Sequence, residues 1–585
     1  MSYMQKRSKQ TKSLQSHNGK LKLFLAGCAL GAVCFLWVYG VRIINPAYDA
    51  WLFNTDIDLK QHYTGFCHYR MSDWHFPVGL IDTLSYPTSM SVIYTDSIPL
   101  FALFFKLFRN VMPLHFQYFG MFGLMSFMLM GGLSSVLVFS FIDGTGKLFD
   151  EVSDGRIPFI NANLPYVLSL VSSTLYILSF TVLQRMFYHT ALGAQWMIIL
   201  ALYIWVERGS YSRRKTIIVY SLMGLLCVGI HTYYVPMVGS ILLAASVEKT
   251  VLLRGRNKLE EIINLLSFCI TGLFTLFVFG AFHGPSGGYG EGLGSFTSNL
   301  NTFINPVYGS IIIRPMKLYY DFQYEGYGYL GIGVFMLTAA AIVYIVKNIK
   351  TAGIKEYFRS HIRAVIFLVL LAVDFALAVL PMVTFCDRKL FGVPLPSFIR
   401  SAAGIFRSNG RFIWVPVYLI FTGSIVCAVR LFSQRFSKMA KGKGIVLKIL
   451  LVAVLFQVLD ITKAAADKQA YFKAEQEHVN IWEGLSDSGL TDGYDEFVFL
   501  YNENDIIMDT AFYAYLNGMR LNNFYYARDI DDTVDLNISN WRDELNAGKV
   551  RDDVIYICRK DDPIIDAVTG VKWVELDEGH CVGMK

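Results

Sequence analysis

The chain has 585 residues, of which 54% are hydrophobic, 15% aromatic and 17% charged, with a mean hydropathy of +0.41. Soluble domains carry roughly a quarter charged residues, so an ordinary soluble protein is excluded, and repeated solid apolar runs of about 18 residues or more argue for helical spans rather than the alternating strands of a barrel. The net charge of +6 is unevenly divided: residues 463–585 hold 12 Lys/Arg against 25 Asp/Glu, a net of −13, which leaves +19 on the rest.

The expected fold is an α-helical polytopic membrane protein of about 11 transmembrane helices with a small C-terminal α/β extracytoplasmic domain. Residues 1–20 read as a basic cytoplasmic N-terminus, 21–461 as the membrane body and 462–585 as the acidic soluble domain. The first run, 21–43, is long and has no clear small-residue cleavage site, so it is expected to be a retained helix and not a removed signal. Further spans are expected at 114–141, 163–183, 190–206, 216–233, 235–253, 262–282, 329–346, 364–385, 411–430 and 445–461. Lys/Arg clusters at the N-terminus, 208–215, 249–258, 347–363 and 430–448 mark one side as cytoplasmic. An odd number of spans then puts the C-terminal domain outside, together with the first long loop, 44–96, in a plasma membrane.

That first loop carries the densest polar stretch, NTDIDLKQHYTGFCHYRMSDW over 54–74. Asp58 stands one helical turn from Gln61 and His62, and an acid just beyond the membrane suits a general base or a divalent-cation ligand. Asp56 and Asp58 are the residues expected to hold such a cation, Mg or Mn, if one is bound. The loop ends in YTDSIPLFALFFKLFRN, where Asp96 or Ser97 caps a short helix with Pro99 in its first turn. Lys106, Arg109 and Asn110 fall on one face of that helix, which is expected to lie in the outer interface.

The second outer loop, 281–329, opens on the glycine-rich GPSGGYGEGLG, either a connector or a ligand wrap. The third, 386–411, sets Arg388, Lys389, Arg400, Arg407 and Arg411 against the single acid Asp387. Such a cluster suits phosphate through charge-assisted hydrogen bonds, or lipid headgroups through snorkelling. Asp374 is the one acid deep in an apolar run and reads as an interhelix contact. In the tail, strands are expected at 497–501, 553–558 and 571–576 and helices at 505–517 and 539–547, an α/β alternation without a nucleophile elbow or phosphate loop. Cys558 and Cys581 are a possible pair.

A basic N-terminus, one span, a long outer loop with an early acid, about ten further spans and an outer soluble domain together resemble the GT-C superfamily of integral membrane glycosyltransferases. The segments D58-L-K-Q-H-Y-T-G, W74-H-F-P-V-G, Y94-T-D-S-I-P and G404-I-F-R-S-N-G-R-F-I-W look like a bacterial branch of it, and the likeness covers about residues 20–460. The resemblance implies an inverting glycosyltransferase taking a sugar from a polyprenyl-phosphate-type lipid donor to a cell-envelope glycan or lipid acceptor. It implies Asp58 as base, assisted by Asp56 or Asp96, and substrate contacts from Gln61, His62, Lys389, Arg400, Arg407 and Arg411. No nucleic-acid partner is expected. The alternatives are a lipid or polysaccharide transporter and a non-catalytic envelope-assembly protein.

Overall fold

In the computed structural model the described residues are all except 1–2, 55–56, 144–157, 253–257, 285–291, 440, 488, 504 and 529. Among them nine helices are long and apolar enough to cross a membrane. They match the expected spans to within a few residues, although the run expected to span 364–385 leaves the helix at Val379 and continues as a strand. The two remaining expected spans are also helical, Arg213–Ile230 and Tyr234–Leu252. The first carries Arg213, Arg214 and Lys215 within its 18 residues, and the second Glu248 and Lys249. Bundle helices turn bare apolar side chains outward, Phe274 at 62% and Val369 at 58% exposure, as a lipid-facing surface requires.

The first helix, α1 (Tyr3–Tyr39), lies along α4 (Phe119–Ile142) at glycine-lined contact. A Cβ on Gly31 would meet the Phe127 carbonyl oxygen at 2.1 Å, and one on Gly131 the Gly27 oxygen at 2.2 Å. Such close approach is how apolar helices gain dispersion contacts in hydrocarbon, where hydrophobic burial gives no bias. Between α1 and α4 the chain forms α2 (Ile57–Met71), a two-residue hairpin of β1 (Leu80–Ile81) with β2 (Met90–Ser91), and α3 (Pro99–Lys106).

Pro99 opens α3 as expected, but its N-cap is Ile98 and neither Asp96 nor Ser97 caps it. The helix stops at Lys106, so Arg109 and Asn110 lie beyond it. Lys106 is buried, donates to the Asp73 carbonyl at 3.2 Å and stands 4.2 Å from the Tyr69 ring, while Arg109 donates to the Ser72 carbonyl at 2.7 Å. The basic face expected at the lipid interface therefore folds onto the loop after α2, because two cations find carbonyl oxygens and an aromatic face there.

The segment 382–404 contains an antiparallel hairpin, β3 (Met382–Phe385) with β4 (Arg388–Gly392), and the helix Ser397–Gly404. The acidic tail folds as a five-stranded sheet in the order β6-β5-β7-β9-β8. Here β5 (Glu496–Phe499) runs parallel to β6 (Arg520–Leu521) and to β7 (Val554–Arg559). β9 (His580–Met584) runs antiparallel to β7 and to β8 (Lys572–Glu575). The α/β expectation holds, with β6 and β9 as strands the sequence did not suggest. The second tail helix starts at Asp531, eight residues ahead of the expected 539. Cys558 and Cys581 are register partners on β7 and β9, and both are free, buried thiols.

The tail docks on the first loop. Its helix Ile507–Leu516 packs on α2, where His68 Nε2 meets the Ala511 carbonyl at 2.7 Å. Leu521 exchanges backbone hydrogen bonds with the first loop, donating to Thr83 at 2.9 Å and accepting from Tyr86 at 2.7 Å. The sheet domain and the first loop thus share one end of the bundle, opposite the end where Lys20 pairs with Glu207 at 2.8 Å.

Candidate functional site

Where the first loop meets the helix ends, four segments bring ionisable side chains together. α2 supplies His62, fully buried, with both ring nitrogens lacking any hydrogen-bond partner. The Val92–Thr95 turn leaves Asp96 in a left-handed conformation, φ +51°. Ser97 Oγ donates to the His62 carbonyl at 2.7 Å and shares a 2.8 Å hydrogen bond with Thr95 Oγ1, which pins the turn to α2. Gly65 makes this crossing possible, since a Cβ there would stand 2.4 Å from Thr95 Cβ.

The helix Phe180–Arg185 ends in a tight turn that delivers His189, and the helix Arg213–Ile230 ends at His231. His189 Nε2 lies 3.3 Å from one Asp96 oxygen and His231 Nε2 3.4 Å from the other. One donor atom each from His62, Asp96 and His189 falls within 4.8 Å of the other two. Burial, the dominant influence, drives the His62 and His231 imidazoles down to about 3 and His189 well below its usual value, against the opposing pull of Asp96 on His62 and His231. All three rings are therefore neutral near pH 7.

Beside this cluster lies a buried ion triad. Glu325 accepts from Arg185 at 3.2 and 2.8 Å and from Arg411 Nε at 2.7 Å. Arg411 also stacks 4.6 Å from the Tyr233 ring centroid. Close backbone packing holds Glu325 here, for Ser298 Oγ sits 2.9 Å from the Gly326 carbonyl and 3.0 Å from the Gly410 carbonyl, either of which can accept its one proton. A Cβ on Gly410 would meet the Phe296 carbonyl oxygen at 2.4 Å, so glycine is required at this crossing.

On the far side of the 184–188 turn opens a cavity of about 840 Å³. Its wall includes the aromatic residues Tyr188, Tyr308, Tyr324 and Phe472, and its charged lining is Lys463 and Lys468 with Asp321 and Asp467. Lys468 turns its ammonium under the Met186 carbonyl, 3.3 Å away, and burial lowers its pKa to about 8. Asp58, in the first turn of α2, is close enough to Tyr324 to add to the upward shift that burial gives that phenol.

The expected site residues are thereby separated. Asp58 belongs to the cavity side, whereas His62 and Asp96 join the histidine cluster. Gln61 donates its side-chain amide to the Tyr525 carbonyl of the tail at 2.9 Å. Arg411 is committed to Glu325, and Arg407, four residues earlier, lies before the helical turn Asn409–Ile413 rather than on its face. Lys389 on β4 and Arg400 are exposed and converge with neither cluster. The expected basic clamp is thus dispersed, because Glu325 removes its central member. Asp56 lies outside the described residues. The expected Asp56–Asp58 cation pair therefore falls partly outside the described residues.

His189, His231, Arg185, Glu325 and Lys468 are the residues sequence reasoning missed. Their one legible signal was position, with His189, His231 and Arg185 at or just past the end of an apolar run. Asp374 makes the expected interhelix contact, with Ser240. Asp460 is structural too, accepting from Ser310, from Tyr329 at 2.8 Å and from the Ile332 backbone at 3.2 Å.

No curated protein matches the chain. The model of a domain of unknown function, DUF6311, matches residues 28–462, which hold the histidine cluster and the ion triad but not Lys463 or Lys468 of the cavity, and that of the DUF6311 C-terminal domain matches residues 482–579, the sheet domain docked on the first loop. With both parts matched in order and the first covering most of its length, the chain belongs to the DUF6311 family.

Proposed function

We propose that the protein is a membrane glycosyltransferase of the GT-C kind, moving a sugar from a polyprenyl-phosphate-type donor to a cell-envelope glycan or lipid acceptor at the outer face of the plasma membrane. The observation that carries this reading is a cavity of about 840 Å³, lined by aromatic residues with Lys463 and Lys468 among its lining, whose Tyr324 lies within electrostatic range of Asp58. Its volume suits a sugar with part of an isoprenoid chain, within the roughly 300–1,000 Å³ of ligand pockets.

In this reading Asp58 takes the proton of the acceptor hydroxyl as the new glycosidic bond forms. The bond to the donor phosphate breaks, and the leaving phosphate collects its negative charge against Lys468 and Lys463. Lys/Arg placement argues for the outer face, since the clusters at 208–215 and 347–363 lie at the bundle end opposite the cavity.

The test is the full chain in liposomes with a radiolabelled polyprenyl-phosphate sugar. Label should pass to a water-insoluble or polymeric acceptor, and Asp58→Asn should lower the rate on the order of 10²–10⁴-fold with an unchanged elution profile. Label that crosses the bilayer still attached to its lipid would make the protein a transporter and end the enzymatic reading.

A further inference from the structure

We propose that His62, Asp96 and His189 bind a divalent transition metal of the zinc class, with a fourth coordination position left open. This site stands apart from the glycosyl-transfer reading, because it asks only what fills the histidine cluster. Among the described residues the fully buried His62 has neither ring nitrogen hydrogen-bonded, so either is free to ligate. A buried polar group left unpaired costs about 1–3 kcal/mol and calls for an absent partner such as an ion. Two ligands about 2.1 Å from a tetrahedral ion stand about 3.4 Å apart, and His189 Nε2 lies 3.3 Å from Asp96 Oδ2.

His231 completes the site without being a ligand. Its Nδ1 accepts from the Tyr233 backbone N–H at 3.2 Å, so in the neutral ring the proton sits on Nε2, directed at Asp96 Oδ1 3.4 Å away. A ligating carboxylate is commonly oriented by such a donor. Two imidazoles and one carboxylate are the donor set of Zn or Fe(II) sites with open positions, and not that of Mg or Ca, which take oxygen. Arg185 and Arg411 stand nearby with only Glu325 between them. The excess positive charge favours an anion, hydroxide or a phosphate oxygen, at the open position.

The experiment is elemental analysis of the full chain, purified in detergent without a polyhistidine tag, equilibrated with zinc and dialysed. About one zinc per chain is expected, since such sites are filled stoichiometrically. His189→Gln and Asp96→Asn, each monodisperse on gel filtration, should fall at least about tenfold in occupancy. His231→Gln should stay loaded but release zinc to a competing chelator about 10–100-fold more readily. Cobalt-loaded wild type should show tetrahedral d–d absorption that Asp96→Asn lacks. Monodisperse wild type that retains no zinc overturns the site, as does undiminished zinc in both ligand variants.

Discussion

Arg411→Ala decides whether that guanidinium is a structural partner of Glu325 or a free anion contact. The substitution removes one charge-assisted hydrogen bond of 2.7 Å and a stacking contact on Tyr233. The first is worth about 1.5–3 kcal/mol and the second about 0.5–2 kcal/mol. Glu325 is not stranded, because Arg185 keeps its two hydrogen bonds to the carboxylate, so the loss should stay near 2–4 kcal/mol, about or below that of an orphaned buried charge. Arg185→Ala takes away both of those bonds and a further one to the Glu325 carbonyl at 3.3 Å, and should cost more. The assay is the temperature at which the detergent-solubilised protein loses its monodisperse peak, compared across wild type, both alanine variants and Glu325→Gln. A melting temperature of Arg411→Ala equal to wild type would refute the triad and return Arg411 to the pool of substrate contacts.

The triad also sets an acid limit: burial alone would raise the Glu325 carboxyl, but Arg185 and Arg411 outweigh it and hold the group at about 2 against its usual 4.5. Its stabilisation is complete above about pH 4.5 and is lost as pH falls toward 2, so acid unfolding of Arg411→Ala should begin at higher pH than that of wild type. Gly65→Ala should destabilise by about 1–3 kcal/mol through overpacking against Thr95, read as a lower melting temperature, and a silent Gly65→Ala would mean that α2 and the Asp96 turn are not in contact. Gln61→Ala should loosen the tail by about 1 kcal/mol, seen as faster proteolysis between residues 473 and 482 with the membrane body intact. Cys558 and Cys581, buried and unpaired, should resist a thiol reagent in the native protein and both react without reductant once it is unfolded; a disulfide recovered from the native protein would contradict their register as free thiols.

What the sequence determined by itself follows from local physics. Apolar runs must become helices in lipid because their backbone groups have no other partner there, and so the spans were legible to within a few residues. The change from net positive to net negative marked the tail, and its alternating pattern marked a sheet with covering helices. Pro99 announced α3, whereas α2 formed in a stretch that the sequence marked only as polar.

What only the tertiary structure decided is which charges meet. Asp58 and His62 share a face of α2 one turn apart, yet they meet different neighbours, Tyr324 at Asp58 and the Asp96–His189 pair at His62, because each turn advances about 5.4 Å along the helix axis. Asp96 joins histidines 93 and 135 residues away, and no periodicity reports a distance of that kind. Arg411 reads like a surface cation until Glu325, 86 residues upstream, is packed against it by glycine crossings at Gly326 and Gly410. A buried ion seeks the partner with the least desolvation penalty left to repay, and that partner is fixed by how loops return over the ends of the helices, not by their order along the chain.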